Sequence, residues 1–184
     1  DLPLLSQYCG YVSTDNVRGV QEAVQYLINR GHEHIGFING DPNAVVSHER
    51  LTGYHAAMDA NHRDIDPSLI VNGNFLLHGG EVATEQLLVH RPQVTAIQYA
   101  SDLMALGGMR YLLQTGRRIP EDIAIIGYDN IDLTEWTHPA LTTVNQRRYD
   151  MGFQAAELLL AMLEHGADPE GRRLPADLII RESA

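Results

Sequence analysis

Along this chain, segments with helical spacing of apolar residues take turns with short apolar runs, and glycine closes several of the helical segments. Asn16–Arg30 carries Val17, Val20, Ala23, Val24, Leu27 and Ile28 at helical spacing, with Asp15 or Asn16 as its cap and Gly31 as its left-handed end. Ile35–Ile38 reads as a short buried strand, broken by Gly40-Asp41-Pro42. Ser47–Ala60 is a helix with Leu51, Tyr54, Ala57 and Met58 on one side. The alternation continues through a strand at Leu69–Val71, a helix at Gly80–His90, a strand at Val94–Tyr99 and a helix at Ser101–Thr115 closed by Gly116. An all-apolar strand at Ile123–Ile126 and a loop from Tyr128 to Pro139 follow. Leu141–Val144 is extended, Tyr149–His165 is a long helix ending at Gly166, and Leu178–Arg181 is a final strand. Strands and helices in turn, joined by short links, predict an α/β fold: a doubly wound parallel sheet with helices on both faces. The last helix carries Met151, Ala155, Leu158, Leu159 and Met162 and can serve this sheet or another one.

Composition narrows the chemistry. At 184 residues, 44% apolar, the chain can bury a core without a metal or disulfide staple. Its net charge of −11 repels phosphate, so by itself it is a poor binder of nucleic acid or anionic membrane. All 13 basic residues are arginine, which excludes lysine-dependent chemistry such as a P-loop or a Schiff base. Cys9 stands alone, so no internal disulfide or Cys-rich zinc site is expected. No apolar run reaches the roughly 18 residues a membrane helix needs. The start, Asp1-Leu2-Pro3-Leu4-Leu5, has neither the charged nor the long apolar region of a signal peptide and lacks an initiator Met, so it reads as a cut end.

In open parallel sheets, ligands sit beyond the carboxyl ends of the strands. The polar residues expected there are Asp41, Asn74 with Phe75, Ser101 with Asp102, and Asp129 with Asn130. Arg50 lies on the helix after the first strand. Carboxylates accept from vicinal hydroxyls, a guanidinium donates to oxygen, and an aromatic ring covers the C–H face of a sugar, so this set suits a small polyhydroxylated ligand. Each residue also has a structural reading. Ser101 and Asp102 can cap the following helix, Asp129 can form a turn, Arg50 can be a solvated residue near Glu49, and Phe75 can be core. Catalysis has weaker support. His32-Glu33-His34 has no second ligand cluster nearby, Ser47-His48 and Thr137-His138 are adjacent pairs without nucleophile–base geometry, and no Gly-x-Ser-x-Gly occurs. Gly79-Gly80 and Gly107-Gly108 lack the context of a dinucleotide site. No catalytic residue, metal ligand or cofactor is assigned.

Seven ordered stretches carry a family likeness. Val12-Ser13-Thr14-Asp15-Asn16 comes first, then Gly31-His32-Glu33-His34-Ile35-Gly36-Phe37-Ile38 and Ser47 through Arg50-Leu51-Thr52-Gly53-Tyr54. Next are Ser101-Asp102-Leu103-Met104-Ala105-Leu106-Gly107 and Ile119-Pro120-Glu121-Asp122-Ile123 with Gly127-Tyr128-Asp129-Asn130. Pro139-Ala140-Leu141-Thr142-Thr143-Val144 and the end Leu178-Ile179-Ile180-Arg181-Glu182-Ser183 complete the pattern. The chain resembles the lactose/galactose-repressor (LacI/GalR) family of bacterial transcriptional regulators over nearly its whole length.

That resemblance implies a periplasmic-binding-protein-like (type I) effector domain, mainly its C-terminal lobe. Residues 1–11 would end the N-terminal lobe, 12–141 form the C-terminal lobe, 142–168 return to the N-terminal lobe, and 169–184 cross back. By position, the effector contacts would be Arg50, Phe75, Ser101 and Asp129, with Asp102 beside them. Ser101 stands where the family commonly has Asn, and Val46 where some relatives have a hydroxyl residue. The resemblance further implies a small-molecule effector (a sugar), operator DNA bound through a helix-turn-helix outside this chain, a homodimer using Ser101–Thr115 and Leu133–Thr137, and a cytoplasmic location. An exported sugar-binding protein of a transport system is the alternative. Gly127-Tyr128-Asp129-Asn130 and Leu141-Thr142-Thr143-Val144 favour the regulator.

Overall fold

A computed structural model describes residues 10–165, 168 and 170–184. Cys9, the apolar start, most of the 1–11 segment and the helix end at Gly166 lie outside the described residues. The elements are β1 (Tyr11–Thr14), α1 (Asn16–Asn29), β2 (Ile35–Asn39), α2 (Val45–Ala60), β3 (Ile70–Asn72), α3 (Leu77–His90), β4 (Ala96–Tyr99), α4 (Asp102–Gln114), β5 (Ala124–Tyr128), β6 (Thr142–Asn145), α5 (Arg148–His165), β7 (Gly171–Leu174) and β8 (Asp177–Ile179). Short 3-10 turns at Pro67–Leu69 and Asp132–Glu135 precede β3 and follow β5.

Six strands form one sheet in the order β3-β2-β4-β5-β6-β8. All its neighbours are parallel except β6 and β8, where Thr143 pairs with Ile179 and Val144 with Leu178 in antiparallel register. The all-parallel expectation therefore fails at the last strand, which follows α5 and β7 and runs back along the sheet edge. Alternation along β2 and β5 shows which helix covers which face. Gly36 leaves room for Leu87 of α3, while Phe37 packs its ring 5.2 Å from Tyr54 of α2. Gly127 likewise faces Asp102 of α4, and Tyr128 faces α1 at Gly19. So α1 and α2 cover one face and α3 and α4 the other, the doubly wound arrangement.

The core lies between these layers. Phe37, Tyr54, Tyr99, Tyr128, Ile97 and Leu112 are fully buried, each burial stabilising the fold by roughly 1.5–3 kcal/mol. Two of the three buried phenols find partners: Tyr54 donates to the Ile35 carbonyl at 2.9 Å, and Tyr99 pairs with the Thr84 hydroxyl at 2.9 Å. The α3 and α4 backbones touch at Gly80 and Gly107. A Cβ on Gly107 would overlap the Leu77 carbonyl and stand 2.9 Å from the Glu81 nitrogen. Gly107→Ala is expected to push the helices apart and cost about 1–3 kcal/mol, read as a lower urea midpoint at unchanged slope.

Two strands were not legible in the sequence. β1 and β7 pair in parallel, Ser13 opposite Arg173, in a separate two-stranded sheet. Neither strand joins the larger sheet. Conversely, Thr142–Asn145, which the resemblance gave to the other lobe, bonds to β5 on one side and β8 on the other. Helix α5 packs on β1 and seats Leu158 there. Of its expected apolar face only Leu158 is buried; Leu159 is exposed, with Tyr149, Phe153, Leu160 and Leu163. Two strands are too narrow to cover a helix of 18 residues.

Candidate functional site

The strand order reverses between β2 and β4, because the chain runs from β2 to β3 on one side and then crosses to β4 on the other. A crevice opens at such a reversal, beyond the carboxyl ends of the strands. The residues there are Asn39 at the end of β2 and Gly40 after it, Ala100 and Ser101 after β4, and Asp129 and Asn130 after β5. Four of the five non-glycine residues with positive φ also sit past strand ends: Phe75 (63°), Asp129 (118°), Asn130 (52°) and Arg147 (52°). Strained backbone of this kind persists where surrounding structure fixes it, and it gathers at ligand sites.

Arg50 is the centre of this rim. It projects from the second turn of α2 and is only 5% exposed. The guanidinium lies 3.7 Å above the Tyr128 ring, a cation–π contact in a desolvated setting. Its Nε donates to Asn16 Oδ1 at 3.0 Å and its Nη1 donates to the Ala100 carbonyl. Its Nη2 stands 3.5 Å from Asp129 Oδ1. The planar fork therefore fixes the ends of β4 and β5 relative to α2. The reading of Arg50 as a solvated helix residue does not hold.

Asp129 keeps part of its carboxylate open and accepts from Gln146 Nε2 at 3.0 Å. Burial raises its pKa above the usual carboxylate range; Arg50 and the Asp102 N–H at the start of α4 counter that shift without cancelling it. Ser101 is the cap of α4: its Oγ accepts from the Met104 N–H at 3.3 Å. Phe75 lies across Gly40, filling the space a side chain there would take.

Asp102 turns away. It is fully buried on the Gly127 side of β5, opposite the Tyr128 side that holds Arg50. Its Oδ1 accepts from Thr143 Oγ1 at 2.5 Å and its Oδ2 from the Ile131 N–H at 2.9 Å. Both oxygens bind β6 and the loop after β5, so this carboxylate serves the fold. The structure thus brings Arg50, Asp129 and the backbone before Ser101 together, sets Phe75 at the end of β2, and points Asp102 elsewhere.

Tyr128, Gln146 and Asn16 are the site residues that sequence reasoning passed over. Tyr128 was read as the start of a loop and as part of the Gly127-Tyr128-Asp129-Asn130 stretch, not as a site residue, and Gln146 follows a strand read as ending at Val144. Three buried polar atoms around Arg50 have no partner among the described residues: Asn39 Oδ1 at the end of β2, Ser47 Oγ one helical turn before Arg50, and the Tyr128 hydroxyl, which points at Gly19 of α1. Buried polar groups are normally bonded, so such atoms mark places where a ligand or water completes the network. Among the described residues, no group of three or more His, Cys, Asp or Glu side chains is placed to hold a metal. No helix of the described residues is long and apolar enough to cross a membrane.

The family model described as "Periplasmic binding protein-like domain" matches residues 24–184. The chain belongs to the periplasmic binding protein-like domain family. Within it, the LacI resemblance read from the sequence stands. The chain is 40% identical over 173 residues to the HTH-type transcriptional repressor CytR of Escherichia coli (strain K12), covering 94% of this chain and 51% of that protein. It is 39% identical over 174 residues to the HTH-type transcriptional regulator CelR of Thermobifida fusca, with the same 94% and 51% coverage. A solved structure described as a transcriptional regulator CelR–cellobiose complex superposes with a TM-score of 0.93 at 38% identity, over 97% of this chain and 55% of that one. A LacI family transcriptional regulator from Enterococcus faecium with bound ribose gives 0.89 at 33% identity, over 95% of this chain and 65% of that one. This periplasmic binding protein-like chain spans about half the length of the curated relatives it matches.

Proposed function

We propose that the chain is the effector-sensing part of a cytoplasmic, DNA-binding transcriptional regulator, and that its effector is a sugar held at the rim by Arg50, Asp129, Ser101 and Phe75. The observation that carries this reading is the buried Arg50 guanidinium, held on three sides with Asp129 partly open beside it. One donor fork and one carboxylate acceptor on a fixed frame match vicinal hydroxyls, and the ring of Phe75 offers an apolar face. Relatives solved with cellobiose and with ribose support the ligand class. A transport component shares the architecture, but the curated relatives at 36–40% identity are regulators.

The reading is of binding, not turnover. The six-stranded sheet with α1–α4 forms one lobe; β1, β7 and α5 belong to the second. A ligand clasped between lobes shifts operator affinity only by its differential affinity for the two lobe arrangements. Exposed Leu103 on α4, with Leu133 and Trp136 in the loop after β5, supplies the apolar face of a homodimer, whose twofold axis matches a near-palindromic operator.

The test is calorimetric titration of the full-length protein with cellobiose, ribose and a set of other pentoses, hexoses and disaccharides. At least one is expected to bind, and Asp129→Ala to weaken that sugar about 100-fold, the loss of a charge-assisted hydrogen bond pair. The bound sugar is expected to change operator affinity measured by fluorescence anisotropy. Unchanged affinity in Asp129→Ala, no sugar bound, or sugar consumed during the titration would overturn the proposal.

A further inference from the structure

We infer that Asn16 is a positioning residue for the Arg50 guanidinium, and that through Glu49 it ties that guanidinium to Arg173 on the two-stranded sheet. The functional importance of this tie rests on Arg50 being the ligand's donor, as proposed above. Asn16 is the first residue of α1, two residues past the end of β1, and is only 4% exposed. It does not cap its own helix. Asp15 does that, with Oδ1 accepting from the Arg18 N–H at 3.1 Å. The Asn16 amide is spent instead on two side chains of α2. Its Oδ1 accepts from Arg50 Nε at 3.0 Å, and its Nδ2 donates to Glu49 Oε2 at 2.7 Å.

Chemistry fixes both the residue type and the way it faces. Arginine can only donate and a carboxylate can only accept, so the side chain between them must do both at once. An aspartate would accept from Arg50 but repel Glu49, and an apolar residue would leave Arg50 Nε buried without a partner. The amide cannot be turned over without setting donor against donor. With Nε held by Asn16 and Nη1 by the Ala100 carbonyl, rotation of the guanidinium is blocked, and Nη2 stays on the Asp129 side, where a ligand would meet it.

The chain of contacts continues outward. Glu49 Oε1 lies 3.5 Å from Arg173 Nη2. Arg173 belongs to β7, in register with Ser13 of β1, three residues before Asn16. Polar contacts therefore run without a break from the two-stranded sheet, through Glu49 and Asn16, to Arg50 and Asp129 at the rim of the six-stranded sheet. The backbone makes the same connection, because β1 leads directly into Asn16. A displacement of the β1–β7 pair relative to the larger sheet pulls on both ends of the Asn16 amide, and the outer link is half-exposed and long enough to yield first.

The test needs no ligand. In the full-length protein labelled with ¹⁵N-arginine, the Arg50 Nε–H resonance is assigned by its loss in Arg50→Lys, and its exchange with solvent is measured. In the wild type it is expected to exchange at least tenfold more slowly than Nε–H groups of exposed arginines. Asn16→Leu abolishes that protection, and the conservative Asn16→Asp, which keeps the acceptor, restores it. Glu49→Ala, a change at a partly exposed side chain that keeps the fold even where Asn16→Leu does not, accelerates exchange several-fold by freeing the amide to turn. Arg173→Ala displaces the same resonance with the thermal midpoint unchanged. Full protection in Asn16→Leu, or in Glu49→Ala should Asn16→Leu not fold, overturns the positioning role. Failure of Asn16→Asp to restore protection overturns it too. An Arg50 resonance indifferent to both Glu49→Ala and Arg173→Ala overturns the tie to the second sheet. If no sugar titrates the wild type, the effector reading fails while these exchange rates still decide the inference.

Discussion

Asp102→Asn is expected to raise stability at neutral pH and to flatten the fall in stability that the wild type shows between about pH 4 and pH 7. Asp102 is fully buried, and burial pushes its pKa to about 7 from an ordinary value of 3.8. The Thr143 hydroxyl and the Ile131 N–H oppose the shift, as does Arg181 at longer range, while Asp129 adds to it. The folded state therefore holds a proton that the unfolded state has released throughout this window. The contribution of this carboxyl to stability is greatest below pH 4, where both states are protonated, and declines as pH rises until the folded carboxyl also ionises near pH 7. A shift of this size corresponds to a loss of up to about 4 kcal/mol across the window. Asparagine keeps the geometry without the charge: its oxygen accepts from Ile131 N–H and its amide donates to Thr143 Oγ1. Urea unfolding of both proteins at pH 4.5, 6.0 and 7.5 measures the effect. The curves should meet near pH 4 and separate above it, with a smaller residual slope in the variant from Asp129, whose pKa is raised for the same reason. Parallel curves across the range would show that Asp102 is charged at no cost.

Asp102 also shows how far a sequence can be read. Its place after a strand was legible, and so was its role at a helix start. The direction of its side chain was not, because that depends on which face of the sheet α4 covers and on Thr143, 41 residues later. The doubly wound order was legible because it is written locally, in apolar spacing and closing glycines such as Gly31 and Gly116. β1 and β7 were not, because Tyr11–Thr14 and Gly171–Leu174 are short, carry polar residues and gain strand structure only from each other across the length of the chain. The antiparallel β8 escaped for a similar reason: an apolar run of three residues does not state its direction. At the site, Arg50 and Asp129 were nominated by position, yet each also fitted a bland local reading. What separates the readings is burial: Arg50 at 5% exposure cannot be a solvated arginine. Asn16 read as a possible helix cap and Tyr128 as part of a family stretch; their places beside Arg50 were not legible, since these are set by the guanidinium they hold, which arrives from another helix.

Arg50→Ala is expected to destabilise the protein by about 3–5 kcal/mol and to abolish effector binding, so that the two losses must be separated by design. The truncation leaves Asn16 Oδ1, the Ala100 carbonyl and one side of Asp129 without their donor, and opens a void above the Tyr128 ring. A carboxylate whose pKa is already raised by burial then loses the cation that opposed that burial. Most of the loss comes from these stranded partners, not from the ion pair itself, whose 3.5 Å separation is long for a strong contact. Adding Asp129→Asn to Arg50→Ala therefore recovers part of the stability, and the double variant falls short of the sum of the two single losses. Arg50→Lys separates fold from function differently. A single ammonium keeps the charge beside Asp129 but cannot reach Asn16 and Ala100 in the directions a planar fork does. It is expected to cost about 1–2 kcal/mol in chemical denaturation while still losing the effector in calorimetry, because the donor geometry at the rim is gone. If Arg50→Lys binds the sugar as the wild type does, only the charge at this position matters and the fork geometry assigned to Arg50 is wrong. If Arg50→Ala unfolds with the stability of the wild type, the buried network drawn around it is wrong as well.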